Sequence, residues 1–182
     1  MIERASIQCL KRSPLASVSM ARDPTDMTET PASPWGPIRM TPEDLNSFLR
    51  RAFPTGAPDE MPKVMRIEPG AAWLLSPTSD RNLRPGGVIS GPTLMSLADT
   101  AAYALILAHI GEVPMAVTTS LTIHFLRACK PGPLMAEARM LKLGRRIATC
   151  EVSMGSEGPD RWAAKATVAY ALPDTSRKET RS

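Results

Sequence analysis

Asp99 is the only formally charged residue between Val88 and Ile110, a stretch otherwise made of apolar and small polar side chains. A carboxylate set among apolar neighbours loses hydration, which favours its proton-bound form and suits it to act as a general base. At about 100° per residue Asp99 falls among Met95, Ala102, Tyr103 and Ile106, whereas Thr93, Ser96 and Thr100 make a separate, weakly polar stripe. It therefore sits off the obvious solvent face. The plainer alternative is an Asp on the helix flank that bonds to a neighbour or reaches water. His109, at a helix end facing the negative dipole, and His124, in a strand, have no nucleophile at motif spacing and read as structural. Cys9, Cys129 and Cys150 are odd in number and scattered, without a CxxC pair. Neither a disulfide framework nor a metal site is expected, and a reducing cytoplasm fits best.

The element that must hold Asp99 reads as one long apolar helix, with Gly91 and Pro92 at its start and Gly111 just past its end. A helix apolar nearly all round is enclosed either by a soluble core or by a membrane. The opening Gly and Pro, the many small residues, the lack of basic flanks and the strand-like sequence beyond argue against a membrane span. Upstream, Thr41-Pro42-Glu43-Asp44 is a helix opening, and Leu45, Phe48, Leu49 and Phe53 recur at helical spacing until Pro54. Lys63 to Ile67 and Ala71 to Leu75 predict two short strands around Glu68-Pro69-Gly70, and a polar loop from Ser76 to Gly87 leads into the central helix.

After the helix the period changes to two. Val117 to Leu126 is β-branched and threonine-rich, and Pro131-Gly132 closes it. Leu134, Ala136, Ala138 and Met140 then alternate with polar residues up to a hairpin at Gly144-Arg145. Ala148, Cys150, Val152 and Met154 do the same, and after a turn at Glu157 to Asp160 so do Trp162, Ala164, Ala166, Val168 and Tyr170. Two strands, one long apolar helix and a run of tightly connected strands predict an α+β fold whose antiparallel sheet covers the helix.

At 182 residues with 43% apolar side chains, one domain with a substantial core is expected. The balance of 22 basic and 18 acidic residues leaves +4, too mild to require nucleic acid, and the aromatics are few. Residues 1–40, rich in Pro, Ser and Thr, predict a disordered extension, 41–172 the domain, and 173–182 a disordered charged tail. The first segment lacks the apolar run of a secretory signal, and Glu3, Asp23, Asp26 and Glu29 argue against a transit peptide.

Three segments carry a family resemblance: Gly87 to Ala101, with Ser90-Gly91 followed by Leu97-Ala98-Asp99; Leu121 to Arg127; and Leu141-Lys142-Leu143-Gly144-Arg145-Arg146. In this order and spacing the chain, from about Leu45 to Leu172, resembles the hotdog-fold acyl-CoA thioesterases of the phenylacetate-degradation (PaaI-like) type. The resemblance implies a hotdog fold, an antiparallel sheet wrapped around one long central helix with a short N-terminal helix. It implies an enzyme that hydrolyses an acyl-CoA thioester, with coenzyme A as part of the substrate and no separate cofactor. Asp99 matches the family's catalytic carboxylate, Gly91 its oxyanion-hole amide, and Thr118 a position that often holds a water-orienting hydroxyl. Two positions depart from the pattern: the family His is Ser90, and the Asn six residues before it is Arg84, with Asn82 close by.

An N–H at a helix start, backed by the helix dipole, suits the oxyanion of an attacked thioester. Eight residues of rise put Gly91 and Asp99 about 12 Å apart, too far for one carbonyl centre. Two copies packed helix to helix bring Gly91 of one against Asp99 of the other, so the expected partner is a second copy, as dimer or dimer of dimers, with neither nucleic acid nor membrane. Ser90 and Asn82 are candidates for contacting substrate, though Ser90 equally suits a helix cap. Met95 and Tyr103, one turn either side of Asp99, are candidates for an acyl pocket. Arg127, Lys130, Arg139, Lys142, Arg145 and Arg146 form a cationic set, of which Arg145 and Arg146 best suit the phosphates of coenzyme A. Alternative readings are a non-catalytic acyl-CoA-binding or regulatory protein on the same scaffold, and a hotdog hydratase or dehydratase. The hydratases carry a His five residues after the Asp, where this chain has Ala104.

Overall fold

The structure, a computed structural model, describes residues 33–54 and 59–174. The extension and tail expected to be disordered fall outside it over 1–32 and 175–182, as does Cys9. Helix α1, Pro42–Ala52, opens on a full capping box, with Thr41 accepting from the Asp44 N–H and the Asp44 carboxylate accepting from the Thr41 N–H. Its Leu45, Phe48 and Leu49 are buried, as their spacing predicts. Strands β1, Lys63–Glu68, and β2, Ala71–Ser76, form a hairpin. At its turn Gly70 has φ +77°, and a Cβ there would run into the Trp35 indole. A two-residue ladder of β3, Leu83–Arg84, with β4, Val88–Ile89, precedes the central helix α2, Gly91–Ile110. Strands β5, Val117–Phe125, β6, Leu134–Leu143, β7, Ile147–Gly155, and β8, Ala164–Ala171, complete the fold.

The six long strands make one antiparallel sheet in the order β1-β2-β6-β7-β8-β5. Of the residues picked out by alternation, Leu134, Ala136, Ala138 and Met140 on β6, Ala148, Cys150, Val152 and Met154 on β7, and Ala164, Ala166, Val168 and Tyr170 on β8 are buried. Trp162, expected to alternate with them, is half-buried and precedes β8, because a short turn over Pro159–Arg161 delays the strand to Ala164. The buried residues close over α2, which packs against β6, β7, β2, β8, β5 and β1. This is the α+β hotdog arrangement. Leu105, Ile106 and Leu107 are fully buried, which is why three large apolar residues stand in a row on one helix. Truncating Leu105 to Ala is expected to cost about 2–5 kcal/mol. The helix is long and apolar enough to cross a membrane, with 67% of its most apolar window buried inside the chain's own fold.

Residues 33–40 correct the expected start of the domain. The Arg39 and Met40 N–H groups both donate to the Ala108 carbonyl, at 2.7 and 3.3 Å, and Met40 is buried. The segment satisfies a carbonyl near the α2 C-terminus that has no partner inside the helix, a role that its Pro-rich composition does not announce.

Candidate active site

Asp99 meets two hydroxyls on a single oxygen. Thr118 Oγ1 donates to Asp99 Oδ1 at 2.6 Å, and Tyr170 Oη donates to the same atom at 2.7 Å. Tyr170 Oη also lies 3.1 Å from the Asp99 carbonyl oxygen. Burial pushes the Tyr170 phenol far above the ordinary tyrosine range, and the neighbouring carboxylate adds to the effect, so Tyr170 stays protonated and acts as a donor. Asp99 itself is half-buried rather than enclosed. The physical reason is that β5 is an edge strand, exposed along most of its length, and the sheet does not close over that flank of α2.

Two clefts border the Asp99 carboxylate. One, of about 240 Å³, is lined by Phe53, Tyr103, Val117, Thr118 and Tyr170. The other, of about 320 Å³, is lined by Leu49, Phe53, Met61, Pro62 and Ser96. Tyr103 thus borders the carboxylate's cleft, while its buried ring stacks on Tyr170, with centroids 5.7 Å apart and planes 16° apart. Met95 is 41% exposed and lines neither cleft.

A β-bulge places Thr118. Thr118 pairs with Tyr170 and Ser120 with Ala169, so Thr119 is an extra residue on β5. Without it the alternation running back from Leu121 and Ile123 would turn Thr119 inward and Thr118 outward. The Thr119 hydroxyl bonds the Ala169 carbonyl at 3.2 Å at the break in the ladder.

At the start of α2, Ser90 is the N-cap. Its Oγ accepts from the Thr93 N–H at 3.4 Å and lies 2.9 Å from Thr93 Oγ1. The Asn82 carbonyl accepts the Ser90 N–H at 2.8 Å, and the Asn82 side chain accepts from the Ser79 N–H, so Asn82 braces the loop against the helix start. Gly91 is the first helical residue, whose N–H has no carbonyl partner inside the helix. A Cβ on Gly91 would stand 3.2 Å from Phe125 Cζ, so the end of β5 lies against this amide.

The structure separates the remaining candidates from Asp99. Arg145 lines a third cleft, of about 440 Å³, with Trp35, Arg39, His109 and Leu172 at the C-terminal end of α2. Arg146 pairs with Asp174 at 3.1 Å, Lys130 with Glu157 at 2.9 Å, and Arg139 with Glu137. Ala104 is fully buried, so this chain has no side chain able to act at the hydratase position. Among the described residues no three His, Cys, Asp or Glu side chains gather as a metal site. Burial pushes the Cys150 thiol up to about 12, which leaves it inert in the core. Sequence reasoning missed Tyr170, because a tyrosine in an alternating strand reads as core; only the pairing of β8 with β5 sets it opposite Thr118, and no local pattern in the sequence marks that.

Residues 86–163, which include α2 and strands β5, β6 and β7, match the thioesterase superfamily. A crystal structure of a candidate thioesterase from Silicibacter sp. TM1040 is 34% identical, with a TM-score of 0.68 over 75% of this chain and 94% of that one. Phenylacetic acid degradation protein PaaI from Thermus thermophilus, solved as a point mutant, is 30% identical, with a TM-score of 0.54 over 63% of this chain and 95% of that one. A candidate esterase of Saccharolobus solfataricus is 28% identical over 63% of this chain and 75% of its own length. The chain belongs to the thioesterase superfamily, and its fold and family are those of enzymes that hydrolyse acyl thioesters.

Proposed function

We propose that this chain is an acyl-CoA thioesterase acting as a homo-oligomer, with Asp99 as base or nucleophile and the Gly91 amide of a second copy as oxyanion donor. The observation that carries the reading is the Asp99 carboxylate, the only charged group among the described residues lining the two clefts, held by two hydroxyls on a helix of thioesterase type. In the base route Asp99 takes a proton from water as the oxygen attacks the thioester carbonyl, and the Gly91 N–H stabilises the resulting oxyanion. Collapse of that intermediate expels the coenzyme A thiolate, which takes up the proton. The products are free acid and coenzyme A. In the nucleophile route the carboxylate attacks the thioester carbonyl and expels the coenzyme A thiolate, leaving a mixed anhydride; water then hydrolyses the anhydride to free acid and the Asp99 carboxylate, and the proton released goes to the thiolate. Thr118, whose hydroxyl donates a hydrogen bond to Asp99, keeps its oxygen lone pairs to orient the water.

Assembly from two copies follows from the about 12 Å of helix rise between Gly91 and Asp99. The exposed edge strand β5, with Val117 and Phe125 on it and Leu126 just past its end at half exposure or more, is the surface best suited to pair with itself. We place Arg145 and Arg146 as phosphate-docking groups for coenzyme A, with Ser90, Asn82 and Met95 at the substrate's approach. Cytoplasmic location belongs to the same reading. Thiol release from a panel of short, long and aromatic acyl-CoA esters tests it, and absence of turnover on all of them would refute it. One observation favours a second reading, a non-catalytic acyl-CoA binder. The Ser90 hydroxyl, where the family has His, is committed to capping α2. Binding of the same esters without hydrolysis would establish that alternative.

A further inference from the structure

We infer that Tyr170 is a positioning residue of this site: with Thr118 it holds Oδ1 of Asp99, so that Oδ2 is the oxygen presented for reaction. This rests on the reading of Asp99 as base or nucleophile. Both side-chain donors go to Oδ1, at 2.6 and 2.7 Å, and among the described residues none bonds Oδ2. Two charge-assisted bonds on one oxygen fix the carboxylate torsion and leave the other oxygen free to accept from water or to attack a carbonyl.

The two donors differ in how firmly they are held. Thr118 is exposed on an edge strand. Tyr170 is 3% exposed, stacked on Tyr103, which rests on the Phe48 ring at 6.1 Å and donates to the Pro114 carbonyl at 3.4 Å. A line of support therefore runs from α1 through Tyr103 to Tyr170 and on to Asp99. Its second contact, with the Asp99 carbonyl oxygen, spans the same residue from backbone to carboxylate. The Phe48, Tyr103 and Tyr170 rings read individually as core residues; together they fix one hydroxyl against Asp99.

The test uses the full chain and hexanoyl-, phenylacetyl- and palmitoyl-CoA. Tyr170→Phe keeps the ring stack and removes only the hydroxyl. On whichever ester the wild type hydrolyses fastest, kcat is expected to fall by about tenfold with KM unchanged. The acid limb of the kcat/KM profile is expected to move to higher pH, because a donor to the ionised carboxylate is lost. An unchanged kcat and an unmoved limb would overturn the role of Tyr170 while leaving that of Asp99 standing, which Asp99→Asn checks separately. A wild type inactive on all three esters would refute the thioesterase reading instead. In that event carbon-13 titration of the Asp99 carboxyl decides for Tyr170 alone: a midpoint raised in Tyr170→Phe supports the inference, and an identical midpoint ends it.

Discussion

The Thr118 hydroxyl reaches the Asp99 carboxylate across 2.6 Å and thereby joins the edge strand β5 to the central helix α2. The bond depends on a residue that does not pair: Thr119, the bulge beside it. Thr118→Val preserves shape and removes the donor. Turnover is expected to fall by about tenfold, with thermal stability close to wild type because position 118 is exposed. A loss of melting temperature that accounts for the loss of activity would contradict this.

Asp99→Ala is expected to lower turnover by several powers of ten while the fold survives. The substitution leaves the buried Tyr170 hydroxyl without the carboxylate but still within reach of the backbone carbonyl of residue 99, at 3.1 Å. The stability loss should therefore stay near about 1–2 kcal/mol. Denaturant unfolding of both proteins, with turnover on the best ester, checks the two halves together.

Gly91→Val and Asp99→Ala are each expected to be inactive alone, the first because a larger side chain meets Phe125 and blocks the amide. Unfolded together and refolded as an equal mixture, they should recover about a quarter of wild-type activity, since half the dimers would be mixed and each would hold one intact site. Recovery indistinguishable from zero would rule out a site shared between copies.

His109 links stability to pH. Its Nε2 accepts the Gly70 N–H at 3.0 Å, and burial holds the imidazole below its ordinary value of 6.5, only partly offset by the backbone of Pro37, Trp35 and Gly36. None of these reaches hydrogen-bond geometry at Nδ1. Protonation would set a donor at Nε2 against the donor of Gly70. A folded-state value below the unfolded one means that the contribution is complete above about 6.5 and is lost as pH falls through the lower, folded value. Between about pH 7 and 5 the melting temperature of the wild type is expected to fall more steeply than that of His109→Gln, whose amide oxygen can accept from Gly70 at any pH. Parallel slopes would exclude His109 as the cause.

The elements of this fold are plain in the chain because each signal is local. Thr41 to Asp44 spells a capping box, Gly91-Pro92 opens a helix, and strict alternation marks β6, β7 and β8. Asp99 stands out for a similar reason, as one charge in an apolar run. What escapes a sequence reading depends on register and on partners distant in sequence. Tyr170 faces Thr118 only because β8 pairs with β5 across a shifted ladder, and Met40 is buried only because Ala108 lacks a partner within its helix. The half-buried state of Asp99 follows from strand order, which places β5 at the rim, and no periodicity encodes strand order.

The unpaired Thr119 carries a warning for anyone transferring residue roles along β5. A chain with one residue fewer between positions 118 and 121 would keep its threonine opposite Tyr170 on an unbroken ladder, so a gap misplaced by one position on paper gives the Asp99-facing role to the wrong residue. For this strand the cross-strand partner, more than parity along the chain, identifies the residue that holds the carboxylate.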